Sequence, residues 1–389
     1  MHPFLELAPD ELAQLFQDWD IPAYRIGQIQ RWIFARKTPD FEQMTDLPKS
    51  VRTDLAERFG PILRGKELTR LQSGDSSQKL LIELEDGERI ECVLLQNDRH
   101  HRTACISTQV GCAMKCVFCA SGMEGFVRNL TRSEILEQLL RLNALLPDHE
   151  RLTHIVVMGI GEPMLNLDAL LSALDEATTP DGLDLSVRRV TISTVGIPAG
   201  IRKLADSVSH KGYTEAGLKF PSGIRPALQR RAAERGRSLL PDPARVYKLA
   251  VSLHAPNDEL RSRLIPQNRR SGIAVLLEAT DEYFQKTGRR VTFEYTLIEG
   301  LNDQPEHIVQ LAGLLRDRTA IVNVIPLNPV PELNFCAPSG KAVQRFTEQL
   351  ESHGIQVKVR FRKGDKISAA CGQLRRCRRK KESVSDATQ

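Results

Sequence analysis

Apolar side chains in residues 1–60 recur at helical spacing, as Leu7, Leu12, Leu15 and Phe16 and again as Ile26, Ile29, Trp32 and Ile33. That period predicts helices, which Pro22 and Pro48 interrupt. Between Gln78 and Leu95 the pattern changes to that of strands, and the runs 80–84 and 89–94 flank Asp86-Gly87, which predicts a hairpin. Beyond about residue 100 strands and helices alternate. Strands are predicted over 103–107, 153–158, 188–193, 248–253, 290–297 and 320–325. Helices include 132–145, 167–177, 273–287 and 305–315, and a last helix and strand, 341–352 and 356–361, complete the series. Such alternation predicts an α/β fold with a parallel sheet, in the form of an open or partial (β/α)6 barrel. The chain then divides into an N-terminal helical accessory domain (1–75), a β-hairpin adaptor (76–98) and an α/β core (99–374). Within the core, residues 207–244 are rich in Arg, Gly and Pro and read as an insertion outside the sheet, while 375–389 read as a basic, disordered tail.

Composition narrows the class. With 389 residues, 41% of them hydrophobic and 26% charged, the chain has the make-up of a water-soluble protein with one large core and a smaller domain. The start Met1-His2-Pro3-Phe4-Leu5-Glu6 has no signal-peptide character, and no apolar run approaches a membrane span. Three of the eight cysteines crowd into residues 112–119, which speaks against a secreted disulfide framework and for a reducing cytoplasm. The net charge of +5 is small but unevenly spread: six of the seven residues 375–381 are basic, and 210–245 hold eight Lys or Arg against three acids. These runs read as solvated surface or as contacts to a nucleic-acid backbone.

The chemistry-bearing residues fall where the predicted strands end. Cys112, Cys116 and Cys119 follow the first strand with spacing C-x3-C-x2-C, so one short loop can bring three sulfurs together. Zinc asks for a fourth ligand at finger-like spacing and none follows, whereas a four-iron cluster held by three Cys keeps one iron open. A structural knuckle completed by a distant Cys is the competing reading. Gly161 and Glu162 follow the second strand, Ser193 ends the third, Ser252, Leu253 and His254 end the fourth, and Asn328 follows the sixth. Ligands gather at the C-terminal ends of parallel strands, so these residues describe one pocket. Its glycines would admit a close ligand, its carboxylate an ammonium, and its hydroxyls and amide a ribose or carboxylate. Cys105 in the first strand and Cys371 after the last are either small buried hydrophobes or reactive thiols.

With these residues in hand the chain resembles the radical S-adenosylmethionine (SAM) RNA methyltransferases that modify adenine at C2. The phrases QVGCAMKCVFCASG, GIGEPMLN, RRVTISTVG, SLHAPND and AACGQL carry the likeness, joined by YRIGQIQRWIF in the accessory domain. The resemblance implies one [4Fe-4S] cluster on Cys112, Cys116 and Cys119, with SAM held by Gly161, Glu162, Ser193, Ser252, Leu253, His254 and Asn328. It implies that Cys371 takes a methyl group from one SAM, and that a second SAM yields a 5′-deoxyadenosyl radical which removes a hydrogen from that methyl. The carbon radical then adds to C2, Glu91 removes the C2 proton, and Cys105 releases the RNA by forming a transient disulfide with Cys371. The implied substrates are 23S rRNA at the peptidyl-transferase centre and tRNA 3′ of the anticodon, with a flavodoxin-type electron donor and a cytoplasmic monomer away from any membrane. Two rivals stand: methylation at C8 of the same ribosomal adenosine, and a non-catalytic metal-binding RNA adaptor.

Overall fold

The computed structural model describes residues 2–97, 100–211, 246–360 and 367–375. Most of the predicted insertion, the predicted end of the last strand and all of the predicted tail except Arg375 therefore lie outside the described residues.

The accessory region forms three helices, α1 (Pro9–Asp18), α2 (Tyr24–Gln30) and α3 (Lys49–Phe59), with a π-helical turn at Arg31–Ala35. Their buried centre is aromatic: Phe4 meets Phe41 and Phe59 edge-on, each at 5.3 Å between ring centroids. The domain is tied to the core through Arg132, which pairs with Glu176 and donates to the Leu5 carbonyl, all three groups being buried.

One ten-stranded sheet runs through the rest of the described residues. Its order is β1 (Lys66–Gln72), β2 (Gln78–Glu83), β3 (Arg89–Gln96), β4 (Arg102–Cys105), β7 (His154–Val157), β8 (Val190–Thr194), β9 (Lys248–Ser252), β10 (Val291–Leu297), β11 (Ala320–Pro326) and β12 (Val357–Val359). From β4 onward every neighbour is parallel, and the order follows the chain, as a partial barrel requires. The first four strands pair antiparallel, so the hairpin strands continue the barrel sheet. Its turn sits at Asp86-Gly87 as expected, with Gly87 at φ 80 and its N–H bonded to the Leu84 carbonyl.

The helices α4 (Arg132–Ala144), α5 (Leu167–Ala177), α6 (Pro198–Lys211), α7 (Asp258–Leu264), α8 (Gly272–Thr287), α9 (Pro305–Leu315) and α10 (Gly340–Ser352) follow the strands. Local chemistry sets their limits. Thr131 and Glu134 form a reciprocal capping box at the start of α4, and α8 ends at Gly288 in the left-handed conformation. Helix α6 continues past residue 207, so the predicted insertion begins as helix. Among the described residues no helix is long and apolar enough to cross a membrane.

Candidate active site

The cysteine loop is held at its base by a ribbon that periodicity does not reveal: β5 (Gln109–Gly111) pairs antiparallel with β6 (Phe126–Asn129). Gly111 sits at φ +73, and a Cβ there would meet the Gly125 carbonyl oxygen at 1.8 Å, so only glycine closes the ribbon. Between the strands the backbone winds tightly. Cys119 N–H donates to Cys116 O at 3.1 Å, Val117 N–H reaches Leu264 O at 3.0 Å, and Ala120 N–H reaches Gly372 O at 2.8 Å. Burial pushes the Cys112 thiol up to about 12 and those of Cys116 and Cys119 up as well. Three neighbouring thiols, Cys112 buried and Cys116 and Cys119 partly so, are poor company as free anions and would become thiolates on binding metal. Among the described residues no three His, Cys, Asp or Glu converge on a single ion. A loop with three thiolate donors fits an iron–sulfur cluster, whose ligands surround a larger body.

A cavity of about 150 Å³ opens beside this loop, lined by Cys116, Cys119, Gly161, Glu162, Ser193, Ser252, His254, Asn328 and Cys371. Residues predicted from five different strand ends thus meet on one wall system. Glu162 is buried; its Oε1 accepts from Thr194 Oγ1 at 2.7 Å and Met164 N–H at 3.0 Å, and its Oε2 from Val195 N–H at 2.8 Å. Burial raises its pKa, so a cation arriving in the cavity would find a carboxylate that gains from it. His254 adopts φ 56, its Nδ1 accepts from Thr296 N–H at 2.8 Å, and burial lowers its pKa to about 3. The ring is therefore neutral with its proton on Nε2, a donor rather than a charge. Asn328 donates to Cys371 O at 3.0 Å, and its buried Oδ1 has no partner among the described residues. That leftover acceptor is the mark of a site built for a bound polar group.

Other predicted residues stand apart from this cavity. Cys112 is buried and is not among the residues that line it. Leu253 is core: its N–H donates to Glu294 O at 3.0 Å and its carbonyl accepts from Arg261 Nε at 3.1 Å. The glycines also do more than admit a ligand. A Cβ on Gly161 (φ +108) would meet Gln109 Cβ at 2.6 Å, and one on Gly159 would meet Ile106 O at 2.6 Å, so the β7 loop needs them to pack on the strand before the cysteines.

Cys105 lines an adjoining cavity of about 360 Å³ with Leu95, Met158, Arg360 and Cys371. Cys371 therefore faces both cavities, and the two thiols are free. Burial, with Cys371 adding to it, pushes the Cys105 thiol up to about 12. Glu91 lines neither cavity. It is buried under the Cys371 loop, paired with Lys79 at 2.8 Å. Glu294 and Arg360, both lining the first cavity, were missed by sequence reasoning. Glu294 carried a signal, a lone carboxylate within the apolar strand Val291–Leu297.

Comparison with known proteins settles the class. Residues 3–60 match the profile of the ribosomal RNA large subunit methyltransferase N-terminal domain, and residues 106–218 that of the radical SAM superfamily. A curated protein of Rhodopirellula baltica, named probable dual-specificity RNA methyltransferase RlmN, is 49% identical over 95% of this chain and 89% of its own. The chain belongs to the RlmN family. Its RlmN-type relatives include a protein of Symbiobacterium thermophilum, 41% identical over 96% of this chain and 91% of its own. The crystal structure of a radical SAM methyltransferase from Sphaerobacter thermophilus, 38% identical, superposes with a TM-score of 0.82 over 96% of this chain and 99% of that one. The partial barrel with its helical N-terminal domain is thus the architecture of an RlmN-family radical SAM enzyme, and the reading as a non-catalytic adaptor is set aside.

The cavity geometry gives a first expectation. Glu162→Gln keeps the side chain's size and one acceptor oxygen but removes its charge. SAM affinity should fall about tenfold, in line with the loss of one charge-assisted contact, while RNA affinity holds. Calorimetry with SAM and gel shift with RNA would read the two; equal losses would mean that Glu162 does not act on SAM.

Proposed function

We propose that this enzyme methylates C2 of adenosine in RNA with a methyl group carried on Cys371. The observation that carries the reading is that Cys371 lines both the cavity beside the cysteine loop and the cavity holding Cys105. A carrier thiol needs both neighbours, one side to be loaded and activated and the other to be released.

Cys112, Cys116 and Cys119 would hold the cluster, and Gly161, Glu162, Ser193, Ser252, His254 and Asn328 would hold SAM at the strand ends, with Leu253 contributing only as backbone support. When bound, the cluster supplies the electron that cleaves SAM, and hence the radical that draws a hydrogen atom from the methylated Cys371. Everything else is the work of the chain. Cys371 first attacks the methyl carbon of SAM as a thiolate and displaces S-adenosylhomocysteine, which converts an electrophilic methyl into a thioether carbon beside the activation site. That step matters because C2 of adenine offers no lone pair for direct methyl transfer. The carbon radical on Cys371 bonds to C2, the adduct radical gives up one electron, which the oxidised cluster would take back, and Glu91 takes the C2 proton. Cys105 then attacks the Cys371 sulfur. The carbon–sulfur bond breaks, the released carbon takes a proton, and the two cysteines are left as a disulfide for reduction. A reducing cytoplasm with a flavodoxin-type donor suits a cycle that must regenerate both thiols.

The relatives' description as dual-specificity RNA methyltransferases supports two substrates, 23S rRNA and tRNA. Both offer adenosines in loops, where a base is splayed into a pocket at modest cost. Exposed Tyr24 and the stacks of Arg36 on Trp32 (4.0 Å) and Arg58 on Trp19 (4.1 Å) give the accessory region a surface suited to RNA. The test is anaerobic reaction of unmodified rRNA and tRNA with the cluster-loaded protein and SAM, followed by digestion to nucleosides. The expected product is 2-methyladenosine from both RNAs. 8-Methyladenosine would replace the C2 reading with the related reaction, and unmodified adenosine would overturn it.

A further inference from the structure

Lys79 has no part in the proposed reaction, yet it is the one buried lysine among the described residues. It is 7% exposed on β2, and Glu91 is 4% exposed on β3. The register sets Lys79 opposite Val93 and Leu81 opposite Glu91, so the two charges stand diagonally on one face. Their contact, Nζ to Oε1 at 2.8 Å, does not exhaust either group. Lys79 Nζ also donates to Ser368 O at 3.1 Å, and Glu91 Oε2 accepts the backbone N–H of Arg375 at 2.9 Å. Ser368 and Arg375 flank Cys371, so one ion pair grips the cysteine's loop on both sides. The middle of the loop is held by other elements: Asn328 on Cys371 O, Ala120 on Gly372 O, and Ser121 Oγ on Leu374 O at 2.6 Å.

We infer that Lys79 is a positioning residue: with Glu91 it clasps both ends of the loop that bears Cys371, and the clasp opens at Arg375 before Glu91 receives a proton. The inference rests on the proposed roles of Cys371 and Glu91. Both carboxylate oxygens are occupied and the side chain is covered, whereas a base must come within about 3 Å of the proton it takes. Release of the Arg375 N–H uncovers Oε2 while Lys79 keeps Oε1 in place. The base is thus exposed only when the carrier loop has shifted, which couples proton removal to the presence of substrate on Cys371.

Hydrogen–deuterium exchange on the full-length, cluster-loaded protein tests this. In Lys79→Met, amides of 367–375 should exchange at least about tenfold faster, with strands Val190–Thr194 and Val291–Leu297 unchanged. Methyl loading of Cys371 by SAM, read by mass spectrometry without RNA, should fall in the same variant while RNA affinity and cluster absorbance hold, and Lys79→Arg should restore it. If Lys79→Met does not fold, Glu91→Gln removes the ion pair with less loss of volume and should show the same loosening. In protein carrying trapped RNA, the Arg375 amide should lose protection relative to the free enzyme. Unchanged exchange of 367–375 in the folded variant, full methyl loading despite faster exchange, or a protected Arg375 amide in the adduct would each overturn the inference. Absence of methyl from Cys371 in the unaltered enzyme would instead count against the carrier reading, leaving the exchange comparison to decide the clasp.

Discussion

Cys105→Ala is expected to convert the enzyme into a trap, with RNA covalently attached through Cys371. Cys371, the cysteine loop and the residues proposed to hold SAM are untouched by the change, so the proposed loading and addition to C2 should proceed. What is lost is the one thiol that shares the second cavity with Cys371. Cys92, the next cysteine in the sheet, is wholly buried in the core, and Cys336 lines neither cavity, so neither substitutes. The adduct should appear as a nuclease-sensitive shift on a denaturing gel, with turnover reduced at least about a thousandfold, as for removal of an essential nucleophile. Cys371→Ala should show neither adduct nor product. A buried cysteine that merely fills space would lower stability in both variants, by about 1 kcal/mol, and trap nothing. Normal turnover of Cys105→Ala, or RNA attached at another cysteine, would contradict the two-thiol cycle.

Removal of any one of Cys112, Cys116 and Cys119 should abolish the cluster altogether. Their surroundings push all three thiol pKa values up, so binding iron must offset the loss of three protons at once. With two ligands left that balance fails. Single Ala variants, purified anaerobically, should lack the broad visible absorbance and the bound iron, while Cys105→Ala and Cys371→Ala keep both. Full iron content after loss of any one of the three would rule out this ligand set.

The barrel strands were legible because each is a run of four to seven residues rich in apolar and β-branched side chains, with its alternate or central positions buried. Strand β1 was not, since Lys66–Gln72 is polar and mostly exposed and owes its form to pairing with β2. The ribbon of β5 and β6 was too short for any period to register, although Gly111 and Gly125 mark the turn that forces it. Cavity residues at strand ends were legible for a topological reason, because parallel strands bring their C-terminal ends to one rim. Leu253 shows the limit of that rule: it lies between two cavity residues in sequence, but alternation along the strand end turns it into the core. The grip of Lys79 and Glu91 on the Cys371 loop joins residues about three hundred positions apart, and no local pattern announces such a contact.

The central claim is that the methyl group passes through Cys371 as a carbon that loses one hydrogen before it reaches the base. Reaction of unmodified RNA with SAM bearing a fully deuterated methyl group, followed by mass analysis of the nucleosides, tests it directly. The account predicts adenosine methylated at C2 with two deuteriums retained, the third replaced by hydrogen taken up when Cys105 releases the product. A product that keeps all three deuteriums would mean direct transfer of an intact methyl group, and would contradict it.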